Sequence, residues 1–499
     1  MSLEEENQRL REQVRLRDER IQQQDTLLAE QQALLEQMQA QMATVTQQSQ
    51  AQMATLTQQV KALQDRLAKD SHNSSLPPSS DRFRRQAKSL RKKSEKKSGG
   101  QEGHPGTTLR FAETPDEVIA HGVTVCASCQ QDLREVEACV TLRRQVVDIP
   151  LPRLLVQEHR AEQKQCPRCQ HITVAAFPPS VTAPIQYGPL IGAAAVYLTQ
   201  QQLLPLERTC EVLSDLLGVQ MSEGTVGELI RRAADQLTPV EQQIKAALIQ
   251  AAVLHQDETG VSVAGKRYWE HVTSTATLTH YHVDASRGQE ALKAIGILPV
   301  FQGISIHDGW GSYFLYDCEH ALCLVHVLRE LVFQAEEQGA VWASDLIDLL
   351  LDMKQATQEA RAQGKRWLDP LEVLDWERAF LRILDDGDRL TPRATAPPGT
   401  RGRIKQSAAR NLLDRLRIHQ QAVFCFLEDL RVDFDNNLAE RDLRMLKVQQ
   451  KVSGCFRSLA GAQAFSRIRG YVSTLRKQGL PLLPALQATL AGHPLLPSF

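Results

Sequence analysis

The sequence predicts a multidomain chain: an N-terminal coiled coil, a four-cysteine zinc-binding module, a helical region, and an α/β domain with a helical insertion. Three observations predict it. A seven-residue series, mostly apolar, runs unbroken along residues 1–70. Two Cys-x-x-Cys pairs follow, at Cys126/Cys129 and Cys166/Cys169. From residue 250 the helical period gives way to short alternating segments, and two apolar runs there end in an aspartate.

Length and composition set the frame. The chain has 499 residues, enough for about three domains. Apolar residues make up 42% and charged residues 23%, as in soluble globular proteins. The net charge of −1 favours no class of partner. The longest uncharged apolar stretch, Gly188 to Leu198, runs into Thr199-Gln200-Gln201-Gln202, too short and too polar-flanked for a membrane span. The start, Met-Ser-Leu-Glu-Glu-Glu, lacks the basic and apolar regions of a signal peptide, so a cytoplasmic location is expected. Ten cysteines in a chain this long do not make a disulfide scaffold.

Residues 1–70 read as one helix. Asn7, Val14, Ile21, Leu28, Leu35, Met42, Ser49, Leu56 and Leu63 form the series, with a partner series at Leu10, Met38, Val45, Met53, Val60 and Leu67. Residues 39–49 recur as 50–60, an eleven-residue repeat that shifts the partner series by one, a stutter in the heptads. The expectation is a coiled coil that makes a homodimer or higher oligomer. Arg17, Gln24 and Gln31 interrupt the seam, and a solvated single helix or a disordered segment is the alternative.

Residues 71–110 are a linker rich in Ser, Pro and Gly. Within it, residues 82–97 carry nine basic residues and one acidic residue. Arg82, Arg84, Arg85, Lys88, Arg91, Lys92 and Lys93 are the candidates for phosphate contact, against the plainer reading of a solvated linker. Residues 111–180 hold the cysteine pairs. Each pair supplies two thiolates from one tight turn, and one structural zinc ion would join both turns. A strand-like run over 143–150 and another near 154–156 separate them. The 36 residues between Cys129 and Cys166 exceed the usual spacing of a ribbon, and a redox motif is the alternative. Cys139 and His159 fall outside the pattern.

Residues 181–245 read as helical. Leu206–Leu217 is a helix, Gly218 a turn, and Ser222 the cap of a second helix carrying Arg231 and Arg232. The outline is that of a helix-turn-helix for DNA, shared by many helical hairpins.

The α/β domain is expected over 246–450, with a helical insertion over 340–420 and a C-terminal segment over 451–499. One apolar run ends at Asp257, two alternating strands follow, and a second run ends at Asp308. A helix is expected over 319–338. Two strand-end acids can meet at one sheet edge, as in oxygen-rich Mg²⁺ sites. The best third acid is Glu440, in a helix over 433–451 that Asp435 can cap. Arg444 and Lys447 share its face and suit phosphate contact. Strand-end turns for the aspartates and a salt-bridged surface helix for Glu440 are the alternatives.

These blocks together resemble the transposases of the insertion-sequence-66 (IS66) family. The resemblance rests on NSSLPPSSD, GGQEGHPGTTL, the two Cys-x-x-Cys pairs, DETG, HDGWGSY, HALCLVHVLREL and DNNLAERDLR, in that order over nearly the whole chain. It implies a ribonuclease-H-like core with an Asp-Asp-Glu site of Asp257, Asp308 and Glu440. It also implies two Mg²⁺ or Mn²⁺ ions and metal-dependent 3′-end cleavage and strand transfer of an insertion sequence. The partners it implies are element ends and target DNA, with companion proteins of the same element, at the bacterial nucleoid. Cys323-x-x-His326 resembles an element of such families and is expected to give structural support. The segment after the last helix departs from the usual lysine-rich pattern, leaving Lys447, Lys451 and Arg457 for DNA backbone contact. The competing readings are a DNA-binding regulator with an inactive core and a nuclease of the same fold that cuts without joining.

Overall fold

The computed structural model describes residues 3–70, 73–74, 109–149, 152–395 and 404–499. The basic run with Arg82, Arg84, Arg85, Lys88, Arg91, Lys92 and Lys93 lies outside the described residues. The chain divides into two compact units. One comprises 1–88, 326–355 and 374–417, and the other 89–325, 356–373 and 418–499. No described helix is long and apolar enough to cross a membrane.

In chain order the elements begin with α1 (Leu3–Ala68), the strands β1 (Gln163–Gln165) and β2 (Ile172–Val174), and the helices α2 (Pro189–Val196), α3 (Leu206–Leu217), α4 (Glu223–Gln236) and α5 (Thr238–Ile249). The α/β part continues with β3 (Val253–Val263), β4 (Lys266–Ser274), β5 (Thr279–Asp284), α6 (Gln289–Ile295), β6 (Ile304–His307), β7 (Glu319–Leu322) and α7 (Leu324–Gln338). The insertion supplies α8 (Val341–Ala362), α9 (Pro370–Leu390) and α10 (Ala408–Ile418), and the chain ends with α11 (Gln420–Glu428), α12 (Asn437–Ser453), α13 (Leu459–Lys477) and α14 (Leu482–Leu490).

In the first unit, α1 is one continuous helix with Val14, Ile21, Leu28, Leu35 and Leu56 exposed. Near its end, Gln338 Nε2 donates to Asp65 Oδ1 at 3.1 Å. Helices α9 and α10 pack closely because Gly387 has no side chain: a Cβ there would stand 2.7 Å from Leu413 Cδ2. Beside that contact, the buried Arg410 pairs with Asp388 at 2.5 Å and Asp414 at 2.6 Å. Two carboxylates around one guanidinium leave no buried charge alone.

In the second unit, the sheet runs β5-β4-β3-β6-β7. β5, β4 and β3 form an antiparallel meander, and β3, β6 and β7 are parallel. The helices before it share its core. Leu213, Val226, Leu229 and Leu248 pack in one cluster with Leu254, Phe301, Ile468, Tyr471 and Leu475. The hairpin helices keep their expected limits. Gly218 ends α3 at φ +67°, and Ser222 Oγ accepts from Thr225 N to cap α4. Helix α13 lies directly on β5, where a Cβ on Gly470 would meet Thr279 O at 3.1 Å. Thr279 N donates to Thr474 Oγ1 at 3.0 Å, so α13 also satisfies the outer side of β5.

Three local expectations change. β3 runs on past Asp257 to Val263, because Val261 and Val263 alternate inward and Ala264-Gly265 turn the chain into β4 with positive φ. The segment Glu319–Leu322 is an edge strand, and the helix begins only at Leu324, because pairing with β6 captures these four residues. Residues 143–149 and 154–156 form no strand, and their apolar side chains, such as Val146 and Val156, stay exposed. The antiparallel pair near the cysteines is instead β1–β2, flanking the second Cys-x-x-Cys turn.

Glu270 sits on β4, fully buried. Burial drives its carboxyl up to about 8, against a smaller pull from the Ser466 hydroxyl. A carboxyl raised in the folded state stabilises the fold below its ordinary value of 4.5 and loses that contribution as pH rises toward 8. The stability of Glu270→Gln relative to the unmodified chain should therefore grow across that window, by up to about 1.4 kcal/mol per pH unit. Urea melts of the two proteins over the same pH series check this, and parallel curves would refute it.

Candidate active site

The register of the sheet aligns two acids. Val253 pairs with Ile304 and His255 with Ile306 in the parallel ladder. Two residues further along each strand lie Asp257 and Asp308, so they stand level where β6 has ended and β3 continues. The third candidate comes from α12. Ala439, Leu443, Leu446 and Gln449 form its buried stripe, and Glu440 lies at the margin of that stripe in the first turn. The cap residue is Asn436 rather than Asp435, whose Oδ1 accepts from Asn437 N at 3.1 Å.

The electrostatics show how close the acids are. Asp257 is held well above the usual carboxylate range, first by burial, then by the charges of Glu258, Asp308 and Glu440. Four carboxyl groups thus crowd one place, more negative charge than the local cations offset. Arg287 is the main counter-ion. Its Nε donates to Glu258 Oε1 at 2.7 Å, and its Nη2 stands 3.6 Å from Asp308 Oδ2. Tyr313 OH donates to Glu258 Oε2 at 2.6 Å. Even so, burial and Asp308 keep Glu258 raised. Asp308 Oδ1 accepts from Trp310 N at 2.8 Å, which fixes the carboxylate at the turn.

Below that turn lies a histidine relay. Gly309 N donates to His307 Nδ1 at 3.1 Å, so the proton of His307 is on Nε2. That nitrogen donates to His320 Nδ1 at 3.1 Å, and His320 Nε2 to Tyr316 O at 3.2 Å. Burial holds His307 well below its ordinary pKa, so the ring stays neutral and the relay stays directional.

A buried asparagine joins the segments that carry Asp257 and Glu440. Asn436 Nδ2 donates to Gln256 O at 2.7 Å, and its Oδ1 meets His255 Nδ1 at 3.0 Å. Asn436 N donates to Cys323 Sγ at 3.2 Å, and Glu440 N donates to Asn436 O at 3.2 Å. Cys323 thus accepts from the start of α12, and its sulfur lies within 4.8 Å of a Glu440 carboxylate oxygen. His326 follows one turn later on α7.

The remaining candidates fall elsewhere. Lys447 Nζ donates to Gly260 O at 2.9 Å, and Arg444 is exposed on α12. Arg231 is engaged by Glu228 and Asp235 on α4, and Arg232 beside it is exposed. The two cysteine turns have one design. In each, the first cysteine's N–H bonds five residues on, to Gln131 O or His171 O, and Gln130 or Gln170 closes the turn with φ near +60°. The backbone N–H groups of Cys129 and Ser128 lower the Cys126 thiol, and those of Cys169 and Arg168 lower Cys166. No three of Cys126, Cys129, Cys166 and Cys169 have sulfurs within 4.8 Å of one another.

Sequence reasoning missed Asn436, Glu258, Arg287 and Trp310. Glu258 lies in DETG, Trp310 in HDGWGSY and Asn436 in DNNLAERDLR, each within four residues of an acid, and that adjacency was the available signal. Nothing local marks Arg287.

A family model described as Transposase IS66 family matches residues 184–464, more than half of the chain. A second model, described as a family of unknown function, matches residues 3–110. The chain is also similar to the uncharacterized protein y4jD of Sinorhizobium fredii (strain NBRC 101917 / NGR234). Identity is 20% over 401 residues, which cover 73% of this chain and 74% of that protein.

The asparagine hub carries a direct expectation. Asn436→Ala leaves His255 and the Gln256 carbonyl buried without their partner, at a cost of roughly 1–3 kcal/mol for each such group. Urea unfolding should show a loss of that size. An unchanged midpoint would mean that Asn436 only fills space.

Proposed function

The chain belongs to the IS66 transposase family, and from that footing we propose that it cleaves the 3′ ends of an insertion sequence and joins them to target DNA at Asp257, Asp308 and Glu440. The observation that carries this reading is the level register of Asp257 with Asp308, with Glu440 near enough to help raise Asp257. A site for phosphoryl transfer needs crowded carboxylates, and here they meet just where β6 has ended.

The donors fit a hard divalent cation. They are all carboxylate oxygens, and their mutual repulsion is what a cation relieves. Mg²⁺ or Mn²⁺, two ions held by the three acids, would when bound polarise the phosphodiester and generate the nucleophile at neutral pH. The chain's own residues set the stage for that. Trp310 N holds Asp308 in one orientation. Arg287 and Tyr313 hold Glu258 aside, so that Asp257, Asp308 and Glu440 are the three left to bind metal. Two displacements at phosphorus follow, the first by water and the second by the released 3′-hydroxyl. Neither needs a covalent bond to the protein.

The other parts take supporting roles in this reading. The mixed sheet with acids at one edge supports a ribonuclease-H-like core. Cys126, Cys129, Cys166 and Cys169 hold one structural zinc, since each turn carries two cysteines three residues apart and points backbone N–H groups at the first sulfur, Cys126 or Cys166. The exposed apolar series of α1 pairs two chains, one per element end. Arg232, Arg444, Lys447 and the basic run over 82–97 meet phosphates. Arg231 does so in competition with Glu228 and Asp235.

Strand cleavage by the purified chain, on duplex DNA bearing the sequences that flank its gene, tests the core of this. With Mg²⁺ or Mn²⁺ the unmodified chain should release 3′ ends. Asp308→Asn and Glu440→Gln should abolish release and leave end binding near the unmodified level. Loss of binding with cleavage would make the acids structural, and binding without any cleavage by the unmodified chain would favour a regulator. Metal analysis should find one zinc per chain, lost in Cys166→Ser.

A further inference from the structure

A stack of cations and indoles runs from the β3–β4 hairpin to the acids. The Arg267 guanidinium stands 4.9 Å from the centre of the Trp269 ring. Arg287 stands 5.0 Å from the same ring and 4.2 Å from that of Trp310. Trp269 is therefore flanked by two guanidinium groups, and Arg287 by two indoles. The order is fixed, because Glu258 holds Arg287 through a 2.7 Å hydrogen bond and Glu258 is itself buried.

The last member of the stack is the unusual one. Trp310 keeps 41% of its surface exposed, although it stands two residues beyond Asp308. Its ring is backed by Arg287, and its backbone N–H donates to Asp308, so the guanidinium holds the indole while the turn keeps the residue beside the acid. Two residues span at most about 7 Å of chain. A nucleotide whose phosphate sits at Asp308 therefore has its base within reach of the indole.

We propose that Trp310 is the stacking platform for one nucleobase beside the cleaved phosphodiester, and that Arg287 positions the platform from behind. The proposal rests on the transposase reading of the acids and adds how the strand is held there. A base can lie on a fixed indole only after leaving its own stack, so the platform takes an unpaired base at the element end. Stacking on an aromatic plane tolerates any base, because every base has a π face. Trp310 thus supplies grip and orientation, and sequence is read elsewhere.

The test combines protein and DNA changes in one cycle. Cleavage rates are measured for the full chain and for Trp310→Ala and Trp310→Phe. The substrates are an intact element end and ends carrying a single abasic site at successive nucleotides flanking the cleaved bond. Trp310→Ala should slow cleavage of intact DNA about 5- to 150-fold, and Trp310→Phe much less. At one abasic position the unmodified chain should slow by a similar factor, and Trp310→Ala should slow no further. Independent, multiplying effects at every position would overturn the proposal, as would equal loss in Trp310→Phe and Trp310→Ala, which marks a packing role. Asp308→Asn separates the two levels. Retained cleavage in that variant refutes the reading of the acids, whereas its loss beside unimpaired Trp310→Ala refutes the platform alone.

Discussion

Asp257, Asp308 and Glu440 come from distant parts of the chain, and one buried residue ties together the segments that carry the first and the last of them. Asn436 joins the backbone beside Asp257 to the cap of the helix that bears Glu440. It also takes Cys323, at the end of the edge strand, as an acceptor. Each of these groups is buried, so each needs its partner. A network of this kind has little freedom, because moving one member leaves the others unsatisfied in a low dielectric. The position of α12 on the sheet, and with it that of Glu440, follows from this arrangement as much as from the apolar stripe of Ala439, Leu443 and Leu446.

The opposite constraint acts on the carboxyl groups. They repel, and the fold holds them together against that repulsion, which is why burial and neighbouring charge raise Asp257. Arg287 limits the cost by taking Glu258, and the aromatic rings on either side of Arg287 keep it from turning outward. The result is a site that stores unfavourable charge in a fixed geometry, the arrangement in which a bound cation gains most.

The parts of this that could be read in the sequence were local. Glycine at 218 and serine at 222 bound their helices, and the alternation over 267–274 and 278–284 marked the meander, because turn and cap chemistry act within a few residues. The limits of Glu319–Leu322 were not legible, since four residues, two polar and two apolar, suit a strand or a helix start, and only β6 decides between them. The asparagine hub was illegible for a related reason. Its partners are 113 to 181 residues away, and nothing near Asn436 announces them. Arg287 likewise meets Glu258 across 29 residues, through a pairing set by the register of three strands.

The register has one more consequence. Beyond His255, β3 has lost β6 as a neighbour, so one flank of its backbone is open. α12 and the segment after it take up that flank. Asn436 occupies the Gln256 carbonyl, Lys447 that of Gly260, and Phe456 that of Ser262, while Phe456 O takes the Ala264 N–H. An unoccupied row of such groups is a template on which a strand from another molecule can assemble. Here the groups are spoken for one by one, by a side-chain amide, an ammonium and a single bridging residue. The chain can therefore end β6 early without offering a seam for self-aggregation.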